Sequence, residues 1–152
     1  MGDFFGSIYC WLEDFFGLEL AEYLWGGYAP EQSGNMFIGI GLSMLGISFA
    51  ITVCYYYIID HPRLANWWGW TIFLGINAVI NFVVGWQWVL KDYYAGLMVK
   101  KNLVTGKMDD LPIYPDDILA FGVTNMINSI IVFVIFSYII KWWSTNCLRA
   151  PF

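Results

Sequence analysis

Three stretches of this chain carry no charged side chain at all. They are Met36 to Ile59 (MFIGIGLSMLGISFAITVCYYYII), Trp70 to Leu90 (WTIFLGINAVINFVVGWQWVL) and Ile118 to Ile140 (ILAFGVTNMINSIIVFVIFSYII). A helix crosses the hydrocarbon of a bilayer with about 20 predominantly apolar residues, and each stretch reaches that length. Buried helices of soluble domains rarely run so far without a charge. The expected fold is therefore an all-α integral membrane protein with three transmembrane helices over 36–59, 70–90 and 118–140.

The boundaries carry the aromatic residues that favour the headgroup zone. Tyr55, Tyr56 and Tyr57 close the first run, and Trp67, Trp68 and Trp70 open the second. Trp86, Trp88, Tyr93 and Tyr94 close the second; Tyr114 precedes the third, and Trp142 and Trp143 end it beside Lys141. Composition agrees: 152 residues make one membrane domain, 59% hydrophobic and 12% charged, against about 25% charged in a typical soluble domain. A net charge of −5 with only 7 Lys and Arg excludes nucleic acid as a partner, since phosphate binding needs clustered cations. A cleavable secretory signal is not expected, because the first basic residue is Arg63.

Asp60 to Asn66 (DHPRLAN) links the first two spans, with Pro62 preventing simple helix continuation. Residues 91–117 form the one sizeable polar loop, whose start, through about Lys101, is able to extend the second helix. Its end, PIYPDD, starts the third: Pro115 suits a first helical turn, and Asp116 and Asp117 complement the positive helix end. Three spans place the termini on opposite sides. Basic residues on the two sides nearly balance, Lys91, Lys100, Lys101 and Lys107 against Arg63, Lys141 and Arg149. Weighting the first span, which has Arg63 after it and no Lys or Arg before it, favours an outside N-terminus.

Residues 3–25 are apolar yet contain Asp3, Glu13, Asp14, Glu19 and Glu22, too many charges for a span. The block Asp-Phe-Phe-Gly occurs twice, at Asp3 to Gly6 and Asp14 to Gly17. That spacing is close to three helical turns and returns the Phe pairs to one face. Phe4, Phe5, Ile8, Trp11, Leu12, Phe15 and Phe16 form this apolar arc, with Asp3, Glu13 and Asp14 opposite. The pattern predicts a broken amphipathic interfacial helix, two short helices interrupted at Gly17 and ending at Gly26-Gly27. Its acidic backing favours contact with the protein's own spans or a neighbouring subunit over anionic lipid. The resemblance of the block to a kinase DFG element is empty without the other kinase signatures.

Polar residues within the spans are the candidate functional groups. Asn77 and Asn81 lie one turn apart in the second, and Asn125, Asn128 and Ser129, with Thr124 beside them, lie in the third. An amide in hydrocarbon must find protein or water. Two arrangements satisfy it: hydrogen bonds within one subunit that lock the bundle, or polar rings around an aqueous path in an oligomer. In the first span Gly39, Ser43, Gly46 and Ala50 form a small-residue stripe suited to close helix approach, and Ser48 and Thr52 a mildly polar pair.

Catalytic signatures are lacking. No Asp, Glu, Lys, Arg or His falls inside a span, and no Ser/His/Asp or Cys/His arrangement occurs, so no enzyme is expected. His61 stands alone and Cys10, Cys54 and Cys147 lack ligand spacing, so neither metal nor cofactor is expected. Asp109, Asp110, Asp116 and Asp117 do not match an EF-hand loop, and Thr105 to Met108 is not a phosphate loop. Two functional readings remain. One is a homo-oligomer in the lipid bilayer that forms a channel or pore, or perturbs the membrane. The other is a membrane anchor or accessory subunit that docks a larger protein through 3–25 or 91–117.

Overall fold

The computed structural model describes residues 2–28, 34–58, 66–101 and 108–142. His61, Arg63, Cys147, Trp143, the DHPR stretch, Thr105 to Lys107 and the end of the first span at Ile59 lie outside the described residues.

Three short helices come first: α1 (Gly2–Cys10), α2 (Glu13–Phe16) and α3 (Leu18–Trp25). Three long ones follow, α4 (Met36–Val53), α5 (Trp67–Tyr94) and α6 (Pro115–Lys141), each long and apolar enough to cross a membrane. They make this an all-α, membrane-embedded protein. α4 ends in a π-helical turn, Cys54–Ile58, that turns Tyr55 and Tyr56 both inward, their rings edge to face at 4.9 Å.

Local chemistry sets the helix ends. Asn66 caps α5, its side-chain oxygen accepting from Gly69 N at 3.2 Å. At the start of α6, Pro115 takes the first helical position and the Asp117 carboxylate accepts from the Tyr114 N–H at 2.9 Å. The other end of α5 departs from the sequence expectation of a helix continuing towards Lys101. Gly96 adopts φ +66°, Gly96 N donates to Tyr93 O, and Leu97 N donates to Asp92 O. This is a Schellman stop, which a left-handed glycine makes cheap. Beyond it, β1 (Val99–Lys101) pairs antiparallel with β2 (Met108–Asp110), Lys100 opposite Asp109.

The leading segment holds three helices where the spacing predicts two. Besides the break at Gly17 (φ +91°), tight bonds from Leu12 N to Tyr9 O and Phe15 N to Leu12 O interrupt it after Cys10. The second break lets both Phe pairs be split in the same way. Phe5 and Phe16 are 4% and 0% exposed, whereas Phe4 and Phe15 are 64% and 56% exposed. α3 ends with its own Schellman stop, Gly26 at φ +90° with Gly27 N donating to Glu22 O.

α4, α5 and α6 pack antiparallel in chain order, with α5 against α6 the most extensive contact. At the end where α4 begins, Phe16, Leu20, Tyr23 and Leu24 of α2 and α3 join Phe37, Ile40, Val89, Ile113, Ile118 and Phe121 in one apolar cluster. At the opposite end Tyr55, Tyr56, Trp70, Phe133 and Ile140 form a second. Between them lies a layer of buried polar side chains. α1 does not stop at the bundle end but runs in beside α4 and α6: the Phe5 ring lies over Gly41 and Tyr9 stacks on Phe37 at 5.2 Å.

That approach depends on the missing side chain at Gly41, where a Cβ would meet Phe5 Cδ1 at 2.2 Å. Gly41→Val is expected to expel α1 from the bundle at a cost of about 1–3 kcal/mol. Maleimide labelling of Cys10 in a Cys54→Ser, Cys147→Ser background should then accelerate. Gly46→Val, where nothing lies within 4 Å, is the control that should leave the rate unchanged.

Candidate functional site: a polar layer between the spans

Asn77, Asn81, Asn125 and Ser129 are fully buried, and Asn128 is 4% exposed. Fourfold spacing puts Asn77, Asn81 and Gly85 on one face of α5, and Gly122, Asn125 and Ser129 share the facing side of α6. The glycines allow the contact. A Cβ at Gly85 would meet Asn125 Nδ2 at 2.8 Å, and one at Gly122 would meet Trp86 Cβ at 3.0 Å.

The amides form a chain of hydrogen bonds inside one subunit. Asn77 Nδ2 donates to Ser129 O at 3.0 Å, and Asn81 Nδ2 to Asn77 O at 3.0 Å and Asn77 Oδ1 at 3.1 Å. Asn125 Nδ2 donates to Asn81 O at 2.6 Å. The series ends on α1, where the Tyr9 hydroxyl donates to Asn125 Oδ1 at 2.5 Å and also contacts Met44 Sδ at 3.8 Å. Asn125 lies ten residues into α6, so Tyr9 reaches about 15 Å along that helix at 1.5 Å per residue.

Among the described residues, three atoms of the layer find no hydrogen-bond partner: Ser48 Oγ, Asn81 Oδ1 and Asn128 Nδ2. They come from α4, α5 and α6 respectively, at matching distances along their helices. Asn128 alone of the three lines a groove of about 580 Å³ between α1, α4 and α6. Thr52 and Thr124 are instead satisfied locally, each hydroxyl donating to the carbonyl one turn earlier.

Other sequence-predicted positions are distributed differently. Gly39 meets the Trp88 ring, with 3.2 Å from a Cβ placed there, and Ser43 donates to Ile40 O. Gly46 and Ala50 face out of the chain, so the small-residue stripe is not the seam of this bundle. Of the aromatic arc, Phe5 and Phe16 turn inward, Ile8 and Leu12 are half-buried, and Phe4, Trp11 and Phe15 are exposed. Tyr9 is not among the residues the sequence pattern singles out, although it stands one turn from Phe5 on the same face. Gly41, Gly85 and Gly122 are not either. Only the Asn77-Asn81-Gly85 spacing signals one of them.

The bundle end presents charge. Tyr23 donates to Asp92 Oδ2 at 3.4 Å; burial first, then the Asp92 carboxylate, push its hydroxyl pKa up to about 12. Tyr28 donates to Glu19 at 2.6 Å and to Glu22, and Lys100 Nζ lies 4.7 Å from the Tyr28 ring centre. These contacts tie α3, α5 and β1 together. Among the described residues, no three His, Cys, Asp or Glu side chains gather as a metal ion would require.

Comparison with protein-family models, with curated proteins and with solved structures gives no match. The functional reading therefore rests on the chemistry of these residues.

The Tyr9–Asn125 bond is testable as a pair. Tyr9→Phe and Asn125→Leu should each lower stability by about 1 kcal/mol, the scale of interhelical hydrogen bonds in membranes. Because each leaves the other partner unsatisfied, the double variant should cost less than the sum. Reversible unfolding in mixed micelles measures all three.

Proposed function

We propose that this protein is a non-catalytic membrane subunit that docks a larger partner on the surface formed by α2, α3, the β1–β2 hairpin and the start of α6. The observation that carries this reading is the hydrogen-bonded series within the polar layer. The amide nitrogens of Asn77, Asn81 and Asn125 all donate to oxygens of α5 and α6 within one chain, an arrangement that favours locking a bundle over lining a path. A channel in which these amides face water would have to break that series.

The bundle end supports docking because it is built and held. Asp14, Glu19, Glu22, Asp110 and Asp116 are exposed there, brought together from four separate elements. The Tyr28, Lys100, Tyr23 and Asp92 contacts hold the surface in place. Carboxylates so arranged suit a partner with a basic face, and such attraction weakens with salt over a Debye length of about 8–10 Å. The termini fall on opposite sides of the membrane in this reading, with the acidic end outside.

The test is purification from native membranes in mild detergent at low salt. A stoichiometric partner, released by salt and lost in Asp14→Lys/Asp110→Lys protein that still unfolds at the wild-type midpoint, supports the proposal. A chain that purifies only with itself and conducts ions in liposomes sinks it. Sidedness is separable: Asp110→Cys in a cysteine-free background should react with an impermeant maleimide on intact cells. Reaction only after lysis reverses the orientation.

A further inference from the structure

The groove beside α1 is walled by Phe5 and Trp11 on one side and by Met44, Ile131 and Ile135 on the others, and its surface is almost wholly apolar. At about 580 Å³ it lies within the ordinary range of sites for small molecules, about 300–1,000 Å³. Two polar residues line it: Ser7, exposed on α1, and Asn128, 4% exposed, whose Nδ2 finds no partner among the described residues. A buried amide donor left unmade costs about 1–3 kcal/mol, so whatever fills the groove and accepts that hydrogen bond is favoured.

Depth selects among the molecules that could fill it. Asn128 is thirteen residues from Pro115 and thirteen from Lys141, the centre of α6. In a hydrocarbon layer about 30 Å thick, that centre lies roughly 15 Å from either headgroup zone. Phospholipid ester carbonyls stay at the headgroup level, so a phospholipid brings only methylenes to this depth. A charged headgroup is kept out by the cost of carrying charge to the midplane. An uncharged lipid is free to move inward and bring an oxygen with it.

We propose that this groove binds an uncharged lipid bearing a carbonyl oxygen on a long hydrocarbon chain, with Asn128 Nδ2 donating to that oxygen. The chain lies along Ile131 and Ile135, and α1 forms the wall that makes the site a groove. Tyr9, through its bond to Asn125, positions that wall. The proposal stands apart from the docking reading, since it concerns the lipid-embedded flank and not the acidic end.

The experiment uses the full chain in nanodiscs of a single phosphatidylcholine, doped with lipids carrying a diazirine and an alkyne on the chain. One probe is a prenyl quinone, another a diacylglycerol, and the third is phosphatidylcholine itself. A carbonyl lipid should label residues 4–11 or 131–136 saturably, with competition by its unlabelled form. Whichever of the first two probes does so identifies the source of the carbonyl. Asn128→Leu should weaken competition about tenfold, as expected for one lost hydrogen bond. Ile131→Trp, which fills the groove from its α6 wall, should abolish saturable labelling. Equal, unsaturable labelling by all three probes means bulk lipid only and overturns the proposal. Undiminished affinity in Asn128→Leu overturns it as well, because the amide would then hold nothing. If Asn128→Leu fails to fold, Ile131→Trp decides alone: loss of saturable labelling supports the groove as the site, and retention overturns it.

Discussion

Hydrocarbon offers no hydrogen bonds, and the structure is organised around that fact. Four asparagines and several hydroxyls lie halfway down the bundle, at the depth where the bilayer supplies them with nothing. The series from Tyr9 through Asn125, Asn81 and Asn77 to Ser129 answers most of the demand. It also fixes the register of α5 against α6, because the Asn77 and Asn125 amides each reach one particular backbone oxygen of the facing helix. Apolar contacts in lipid have little preference of their own, since lipid tails are as apolar as Leu. The polar layer supplies the specificity and the two apolar clusters above and below it supply the close packing.

The same constraint explains the unusual leading segment. Asn125 spends its amide nitrogen on α5, and its oxygen requires a donor from elsewhere. That donor comes from α1, which therefore has to enter the bundle. Entry is possible because Gly41 leaves room for the Phe5 ring, and the break after Cys10 then lets the chain turn so that Phe16 also packs inward. The repeated Asp-Phe-Phe-Gly block is thus used twice in the same sense, one ring in and one ring out. The segment, the spans and the residues flanking the hairpin, Met98, Leu111 and Ile113, share one apolar cluster, which joins the acidic end to the membrane-embedded part.

Much of the fold is legible in the residues themselves. The spans announce themselves by length and lack of charge. The start of α6 is written in Pro115 and Asp117, and the end of α3 in Gly26-Gly27. The end of α5 is less visible: Lys91, Asp92, Tyr93 and Tyr94 continue a helical pattern, and only the left-handed backbone of Gly96 stops it. At the candidate site, the residue pattern names the four asparagines and Ser129 but not their bonding. Whether an amide turns to a neighbour in its own chain or to another subunit is not a property of spacing. The small-residue stripe shows the same gap, since Gly46 and Ala50 are as well spaced for packing as Gly85 and Gly122, yet they face outward.

By itself, then, the sequence determined that three helices cross a membrane, where they begin, and which polar groups they carry into it. Those outcomes follow from local quantities: apolar length, capping residues and the cost of burying charge. Tertiary structure alone decided that Tyr9 completes the amide series and that Gly41, Gly85 and Gly122 are the points of close approach. It also decided that Asn128 is left facing a groove. These depend on which surfaces meet, and a meeting between residues 9 and 125 has no local signature for periodicity to reveal.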